Sequence, residues 1–567
     1  MSRRFVLPLA VLGSACLVAG LVPTQAGAAT TGRDAASAAS SATPQSDNPS
    51  STAAAGTRAL RAPVTKARYA RVAPRAGSGA TAPNPGLTAV FTTGGISAFG
   101  VTVNASVTGY DTPTSGGLSA TVDWGDGTSS TYSDISTTPS FSHEYSSTGA
   151  YSITLTVIDG EGDSSTDTWA GLQTEGSEFT PYSPKRLLDT RKGIGAAAKP
   201  VPAKGTVKLN VTPPIPEPYG ITAVVLNVTA TEATANGFLT VYGDDDIGGT
   251  PVPVPTTSNL NFLKNQNVAN LVIVPVGQNG VVDFSNGAST GSVDVVADVE
   301  GYFSLTEVNK YVNVTPTRIL DTRKGIGTGA VKQIPANGNL TLTVTGAGKG
   351  VIPTGSGLAV AMNLTAVDGT RNGVITAYPA GQSMPTASNL NYSAGQAAAN
   401  TAIVPLGTNG QVVFHNNSTG PVDLIADASG YFTPDQAVDG NAYVPWSSPI
   451  RDYDSRPYPL PSGTPDPFWP GYVDWATSEV FNATVVAPTG NGFLSLYPYD
   501  PKTPDALPTT SNLNYLTGQT VPGLAIVPLG TVPDTTFDPP VDEIGIYLGG
   551  HGSANVILDF FGFFANS

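Results

Sequence analysis

The chain has 567 residues, too many for one hydrophobic core, and Gly (64) and Pro (48) are abundant while charged residues make up only 12%. That composition predicts several domains made of strands and turns, and it excludes a helical protein. The formal net charge of −15 is unevenly spread: residues 1–85 carry 9 Lys/Arg against 2 Asp/Glu, leaving 18 against 40 downstream, a balance that excludes nucleic-acid binding by phosphate neutralisation.

At the N-terminus Arg3 and Arg4 precede an apolar stretch from Phe5 to Val22 and the small residues Ala26-Gly27-Ala28. This is the pattern of a secretory signal peptide over residues 1–28, with the mature chain starting at Ala29. The only cysteine, Cys16, lies inside the apolar stretch, so the exported domains must hold by burial and hydrogen bonding without disulfides. No later segment reaches the ~20 apolar residues of a transmembrane span. The expectation is a secreted, extracellular protein that can associate with the cell envelope through non-covalent contacts. Residues 29–85, dominated by Ala, Ser, Thr, Pro and Gly, read as a disordered linker. Within it Arg58, Arg61, Lys66, Arg68, Arg71 and Arg75 form a basic run. It is either plain solvated charge or a tether to an anionic envelope polymer.

From residue 86 to 173 short alternating segments such as Val101 to Val107 and Tyr151 to Val157 predict half-buried strands. Val122-Asp123-Trp124-Gly125-Asp126-Gly127-Thr128, followed by His143-Glu144-Tyr145, Gly149 and Tyr151, resembles a PKD domain. The resemblance implies an Ig-like sandwich that serves as a spacer or adhesion module in secreted and surface proteins. Read from the residues alone, Trp124, Tyr145 and Tyr151 fill the core and Asp-Gly-Thr makes a turn. The loop Asp159-Gly160-Glu161-Gly162-Asp163 places three carboxylates on alternate positions, either an acidic turn or a set of calcium ligands. No other cofactor is expected.

The rest of the chain repeats with a period of about 130 residues. Arg186-Leu187-Leu188-Asp189-Thr190-Arg191 returns as Arg318-Ile319-Leu320-Asp321-Thr322-Arg323 and as Arg451-Asp452-Tyr453-Asp454-Ser455-Arg456. Asn227, Asn363 and Asn482 open Asn-x-Thr landmarks, Ser258, Ser388 and Ser511 open Ser-Asn-Leu-Asn, and each unit closes on Asp298, Asp427 or Asp559 and a Gly-aromatic-aromatic end. A period this long makes each unit a domain with its own core, at residues 178–304, 309–433 and 441–565. Near-continuous apolar runs, Ala223 to Val228 and Leu271 to Val276, suit central strands of two packed sheets. The fold class is all-β: a PKD-like sandwich followed by three tandem jelly-roll-like sandwiches. The set of motifs resembles a repeat of secreted actinobacterial proteins, which implies an accessory extracellular role and no site residues.

Catalytic patterns are weak. Gly287-Ala288-Ser289-Thr290-Gly291 matches a nucleophile elbow, yet a strand is expected after it in place of the required helix, so it reads as a hairpin turn. Asp189 and Asp298 could form a glycosidase carboxylate pair if the first and last strands of the unit adjoin, but Arg186 and Arg191 beside Asp189 argue for a permanently ionised acid. Asn259 and Asn261 share one strand face and suit either sugar hydroxyls or backbone groups at a sheet edge, the structural role being preferred. The third unit alone gathers Trp446, Tyr453, Trp469, Tyr472 and Trp475 among prolines, either a hydrophobic cap or a platform for polysaccharide rings. In the Arg-x-x-Asp-x-Arg element, strand alternation puts Asp321 and Arg323 on one face and Arg318 on the other, and the element is expected to clasp the closing strand by ion pairing. The chain reads as a non-catalytic binding or spacing protein of the cell surface or matrix that contacts polysaccharide or a surface protein. The alternative is an accessory or degenerate carbohydrate-active protein.

Overall fold

The computed structural model describes residues 72–76, 86–110, 117–212, 215, 220–244, 252–277, 280–306, 309–355, 357–435, 437–470, 476–504, 506–532 and 541–566. Two compact units divide the chain, Met1–Gly56 and Thr57–Ser567, and every described residue belongs to the second. The expected signal peptide, the start at Ala29 and the basic run up to Arg71 lie outside the described residues. The linker expected over 29–85 needs one correction. Val72–Ala76 is a strand that pairs antiparallel with Ser164–Gln173, taking up the open backbone groups of an edge strand.

Strand alternation builds the first sandwich. In Gly100–Thr108, Val101, Val103, Ala105 and Val107 are buried while Asn104 and Ser106 face water, and the buried row meets Ile153, Leu155 and Val157 of Ala150–Ile158. A three-stranded sheet (Thr88–Gly95, Gly100–Thr108, Ser140–Glu144) covers a five-stranded one ordered Val72–Ala76, Ser164–Gln173, Ala150–Ile158, Leu118–Asp123, Ser129–Ile135. Trp124 sits fully buried between them. Its indole Nε1–H donates to Ser130 Oγ at 3.0 Å, and its carbonyl accepts the Tyr145 hydroxyl at 3.0 Å.

The three repeated units share one strand plan. In the first, one sheet runs Glu178–Asp189, Ser292–Ser304, Ile221–Thr231, Val268–Pro275 and the other Thr206–Asn210, Val281–Asn286, Gly237–Gly243, Leu260–Phe262. Counted in chain order, the eight main strands pair first-eighth-third-sixth and second-seventh-fourth-fifth, and the other two units do the same. This is a jelly roll.

Side chains of Ile221–Thr231 alternate between two cores. Val224, Leu226 and Val228 pack with Leu239, Val241 and Phe284 inside the unit, whereas Ala223 and Val225 turn outward into a cluster that all three units build together. The apolar runs Ala223 to Val228 and Leu271 to Val276 therefore lie side by side in one of the two packed sheets, with Val225 opposite Ile273. The run is continuous because both faces are covered, one by the second sheet and the other by the neighbouring units.

The shared cluster closes as a ring. Phe179 of the first unit meets Phe432 of the second with ring centroids 4.2 Å apart, Tyr311 of the second meets Phe564 of the third at 4.2 Å, and Tyr443 of the third meets Phe303 of the first at 4.6 Å. Backbone bonds follow the same cycle: Phe179 N–H donates to Asn309 O at 3.2 Å, Tyr311 N–H to Asn441 O at 2.9 Å and Tyr443 N–H to Ser177 O at 2.8 Å. The repeated Gly of the closing strands admits these rings, since a Cβ at Gly301 would come within 2.3 Å of the Phe179 ring and one at Gly430 within 2.2 Å of the Tyr311 hydroxyl. Each unit keeps its own core, but none covers its outward sheet face alone. The PKD-like sandwich docks on this body through Ala98 and Phe99, which bury with Ala442 and Val444 of the third unit.

Candidate functional site

The opening and closing strands of every unit are direct neighbours, with Arg186 opposite Asp298, Arg318 opposite Asp427 and Arg451 opposite Asp559. Each guanidinium binds its carboxylate by two bonds: 2.9 and 3.0 Å for Arg186 to Asp298, 2.8 and 3.0 Å for Arg318 to Asp427, and 3.0 and 3.5 Å for Arg451 to Asp559. The expected clasp is there, but strand alternation misplaces the side chains. A register shift between Arg318 and Leu320 inserts one extra residue and resets the alternation, so Arg318 and Asp321 share a face and approach to 3.7 Å. The same shift recurs in the first and third units.

A second guanidinium completes each clasp. Arg191 takes both oxygens of Asp189 at 2.9 Å, and Arg323 takes those of Asp321 at 3.0 and 2.9 Å. Arg456 grips Asp454 in the same way. The Asp189 and Asp321 side chains are fully buried, while Asp454 keeps 25% of its surface exposed. The bond from Arg191 holds Asp189 below the usual carboxylate range, whereas burial pushes Asp298 upward against the pull of Arg186. The pair Asp189 and Asp298 does adjoin, with Arg186 bonded to both. Ser289 follows Val281–Asn286 and precedes Ser292–Ser304. Those strands lie in different sheets, so the turn is an arch between sheets and not the expected hairpin.

The Ser-Asn-Leu-Asn asparagines take the structural role. Asn259 Oδ1 accepts Val241 N–H, Asn389 Oδ1 accepts Ala377 N–H and Asn512 Oδ1 accepts Leu496 N–H, each at 2.7 Å. The Asn-x-Thr residues reach across to this motif in the next unit. Asn227 Nδ2 donates to Ser388 O, Asn363 Nδ2 to Ser511 O and Asn482 Nδ2 to Ser258 O. Sequence reasoning saw both motifs and missed that they meet. One residue it did miss, Glu300, is buried at the seam between the first and second units, where it accepts Asn389 Nδ2–H at 2.7 Å and Ile403 N–H at 3.2 Å. Burial pushes its carboxyl up to about 8.

The acidic loop of the first sandwich is a turn. Asp159 Oδ1 accepts the backbone N–H of Glu161 at 3.1 Å and of Asp163 at 2.9 Å, which is local turn chemistry. Among the described residues no three acidic, His or Cys side chains gather as a metal site. Nearby, His143 Nε2 lies 2.8 Å from Asp126 Oδ2 and its ring stacks on Trp124 at 4.8 Å. Burial works to raise Asp126, but bonds from Thr128 and His143 outweigh it and hold the acid at about 2.

The aromatic segment of the third unit divides in two. Trp446 packs on Phe560 with centroids 5.5 Å apart, and Tyr453 packs on Phe468 at 5.2 Å while its hydroxyl donates to Asp466. Trp446, Tyr453 and Phe468 all rest against the third core, so these three form the hydrophobic cap. Trp469 is 52% exposed and Tyr458, outside the expected ligand set, is 81% exposed. Tyr472 and Trp475 lie outside the described residues.

Residues 87–170 match the PKD domain family, and this part of the chain is a PKD domain. Nothing among curated proteins matches. Similar solved structures include carbohydrate-binding modules of the β-sandwich superfamily, at 15% identity over 39% of this chain and 99% of that one with a TM-score of 0.17. A tandem of carbohydrate-binding domains from Paenibacillus barcinonensis follows at 10% identity, over 44% of this chain and 98% of that one, TM-score 0.15. A chain of the Sulfolobus Turreted Icosahedral Virus matches at 12% identity over 68% and 91%, TM-score 0.15. At these scores the likenesses carry no argument. No described helix is long and apolar enough to cross a membrane.

Proposed function

We propose that the chain is a non-catalytic, extracellular binding protein of the cell surface or matrix, and that it contacts polysaccharide through the aromatic segment of the third unit. The observation that carries this reading is the exposure of Trp469 and Tyr458, 52% and 81%, in a segment whose other described rings are packed down on the core. A large planar ring held in water on a proline-stiffened loop suits stacking on a sugar face. The PKD domain, a module of secreted and surface proteins by resemblance, agrees with the location. The basic run from Arg58 to Arg75 would add a salt-sensitive attraction to an anionic envelope polymer.

The test is retention of the whole mature protein on insoluble envelope and plant polysaccharides, compared with Trp469→Ala and Tyr458→Ala. Binding should weaken by about tenfold or more, with the melting temperature unchanged because neither ring supports a core. Unaltered retention, or a collapse in stability, would refute the platform. Release of reducing ends by the parent protein would move the reading to the accessory carbohydrate-active alternative.

A further inference from the structure

The three seams between units follow one hydrogen-bonding scheme, and one of them is incomplete. At the first–second seam, Asn400 Nδ2 donates to Asn227 Oδ1 at 3.1 Å and to Asn389 O at 2.6 Å, and Asn400 Oδ1 accepts Leu271 N–H at 3.1 Å. At the third–first seam, Asn270 does the same with Asn482 Oδ1 at 2.8 Å, Asn259 O at 2.7 Å and Leu524 N–H at 3.1 Å. The residue at this register in the third unit, opposite Ala483 as Asn400 is opposite Leu364 and Asn270 opposite Val228, is Gly523. It has no side chain to offer the second unit. Asn363 Oδ1, the acceptor it would serve, is buried with no hydrogen-bond partner, and the whole residue is only 7% exposed.

A second truncation falls at the same place. Glu300 fills the first–second seam by accepting from Asn389 and Ile403; its counterpart one unit on is Ser429, which faces Asn512 and Ile526, the register equivalents of those two donors. The result is a cavity of about 20 Å³ lined by Asn363, Thr401, Asp427, Ser429, Asn512 and Ile526. That volume is enough for a water molecule, and a buried water needs two to four polar partners.

We propose that this cavity is the binding site of a single structural water that donates to Asn363 Oδ1 and accepts from the Asn512 amide, the Ser429 hydroxyl being already donated to Ala361 O at 3.3 Å. It stands in for the amide that Gly523 lacks and for the carboxylate that Ser429 is too short to supply. A water fits this role because the site presents both a donor and an acceptor, and an apolar guest would leave the Asn363 oxygen stranded.

The replacement Gly523→Asn tests the assignment. A Cβ at residue 523 meets Leu513 Cβ at 3.4 Å and Asn512 O at 3.7 Å, so the side chain fits without displacing backbone. In the full chain the new amide should bond Asn363 directly, expel the water and raise the melting temperature by about 2 °C. Crystallography of the parent protein at high resolution should show one ordered water within hydrogen-bond distance of Asn363 Oδ1, absent from the variant. Should the variant fail to fold, the parent density alone decides. An empty cavity in the parent, or a water that persists beside the introduced amide in the Gly523→Asn variant, would overturn the proposal.

Discussion

The PKD domain and the three-unit body are both all-β, yet they bury their sheets differently. In the PKD domain a strand such as Gly100–Thr108 has one dry face and one wet face, and the core from Leu87 to Val157 is complete within the domain. In the body, Ile221–Thr231 is dry on both faces, and the second face is covered only by the neighbouring units. Strand patterning alike in kind thus yields one autonomous sandwich and three interdependent ones. The PKD domain should unfold as a unit of its own, and the body as a single cooperative block.

The severest way to break that contrast is Phe432→Ala. Phe432 touches Phe179, Phe303, Tyr311 and Phe564, and truncating a buried Phe costs ~3–5 kcal/mol. Calorimetry of the full chain should show the transition of all three units move down together while that of the PKD domain stays. A shift confined to the heat of one unit would mean that the units are independent after all.

A smaller effect is expected from Asp427→Ala, which leaves the Arg318 guanidinium without its carboxylate. Losing one partner of a buried pair costs ~3–5 kcal/mol, and the lower end applies because Arg318 keeps 21% of its side-chain surface exposed. Hydrogen exchange should quicken in Lys310–Asp321 and also across the seam in Leu513–Tyr515, the strand that follows Thr509, because Arg318 Nη2 also donates to Thr509 O of the third unit at 3.2 Å. Faster exchange in the second unit alone would restrict the clasp to its own sandwich.

The mildest perturbation is a step of one pH unit. Burial pushes Glu300 up to about 8, against ~4.3 for an unfolded glutamate. Between those values the folded body holds a proton that the unfolded chain has released, so stability falls as pH rises through this window and levels off on either side. Each such group contributes up to about 1.4 kcal/mol per pH unit. Glu175, whose side chain lies against Gly95, is raised by burial to about 8 as well and adds to the slope. Glu300→Gln should remove one proton's share of the slope, read from chemical denaturation at pH 5, 6 and 7. An unchanged slope would place the titration elsewhere.

Much of the fold was legible in the sequence. The period-2 strands, the Trp124 signature and the repeated landmarks are local patterns, and they led to an Ig-like sandwich and to jelly rolls. The closing Asp and opening Arg could be paired because they mark the two ends of one unit. The ring could not be read this way, since an apolar run such as Ala223 to Val228 does not say what covers its second face. The bulge beside Arg318 leaves no trace either: an extra residue in a strand looks like any other residue. In the aromatic segment composition could not sort the rings, because Trp446 and Trp469 sit among similar neighbours and differ only in whether the backbone aims them at Phe560 or at water. The paired Gly-aromatic-aromatic ends were the overlooked clue, with Tyr302 turned into its own unit and Phe303 toward the ring.

The corner at Tyr443 also fixes how the molecule would carry a mechanical load. The chain enters the body at Ser177, which exchanges backbone hydrogen bonds with Tyr443, and its last strand ends at Ala565, the register partner of Ala442. Entrance and exit therefore share one corner. Tension between the PKD domain and residue 565 is borne by the few bonds around Ala442 and Tyr443 and does not run through the three sandwiches in series.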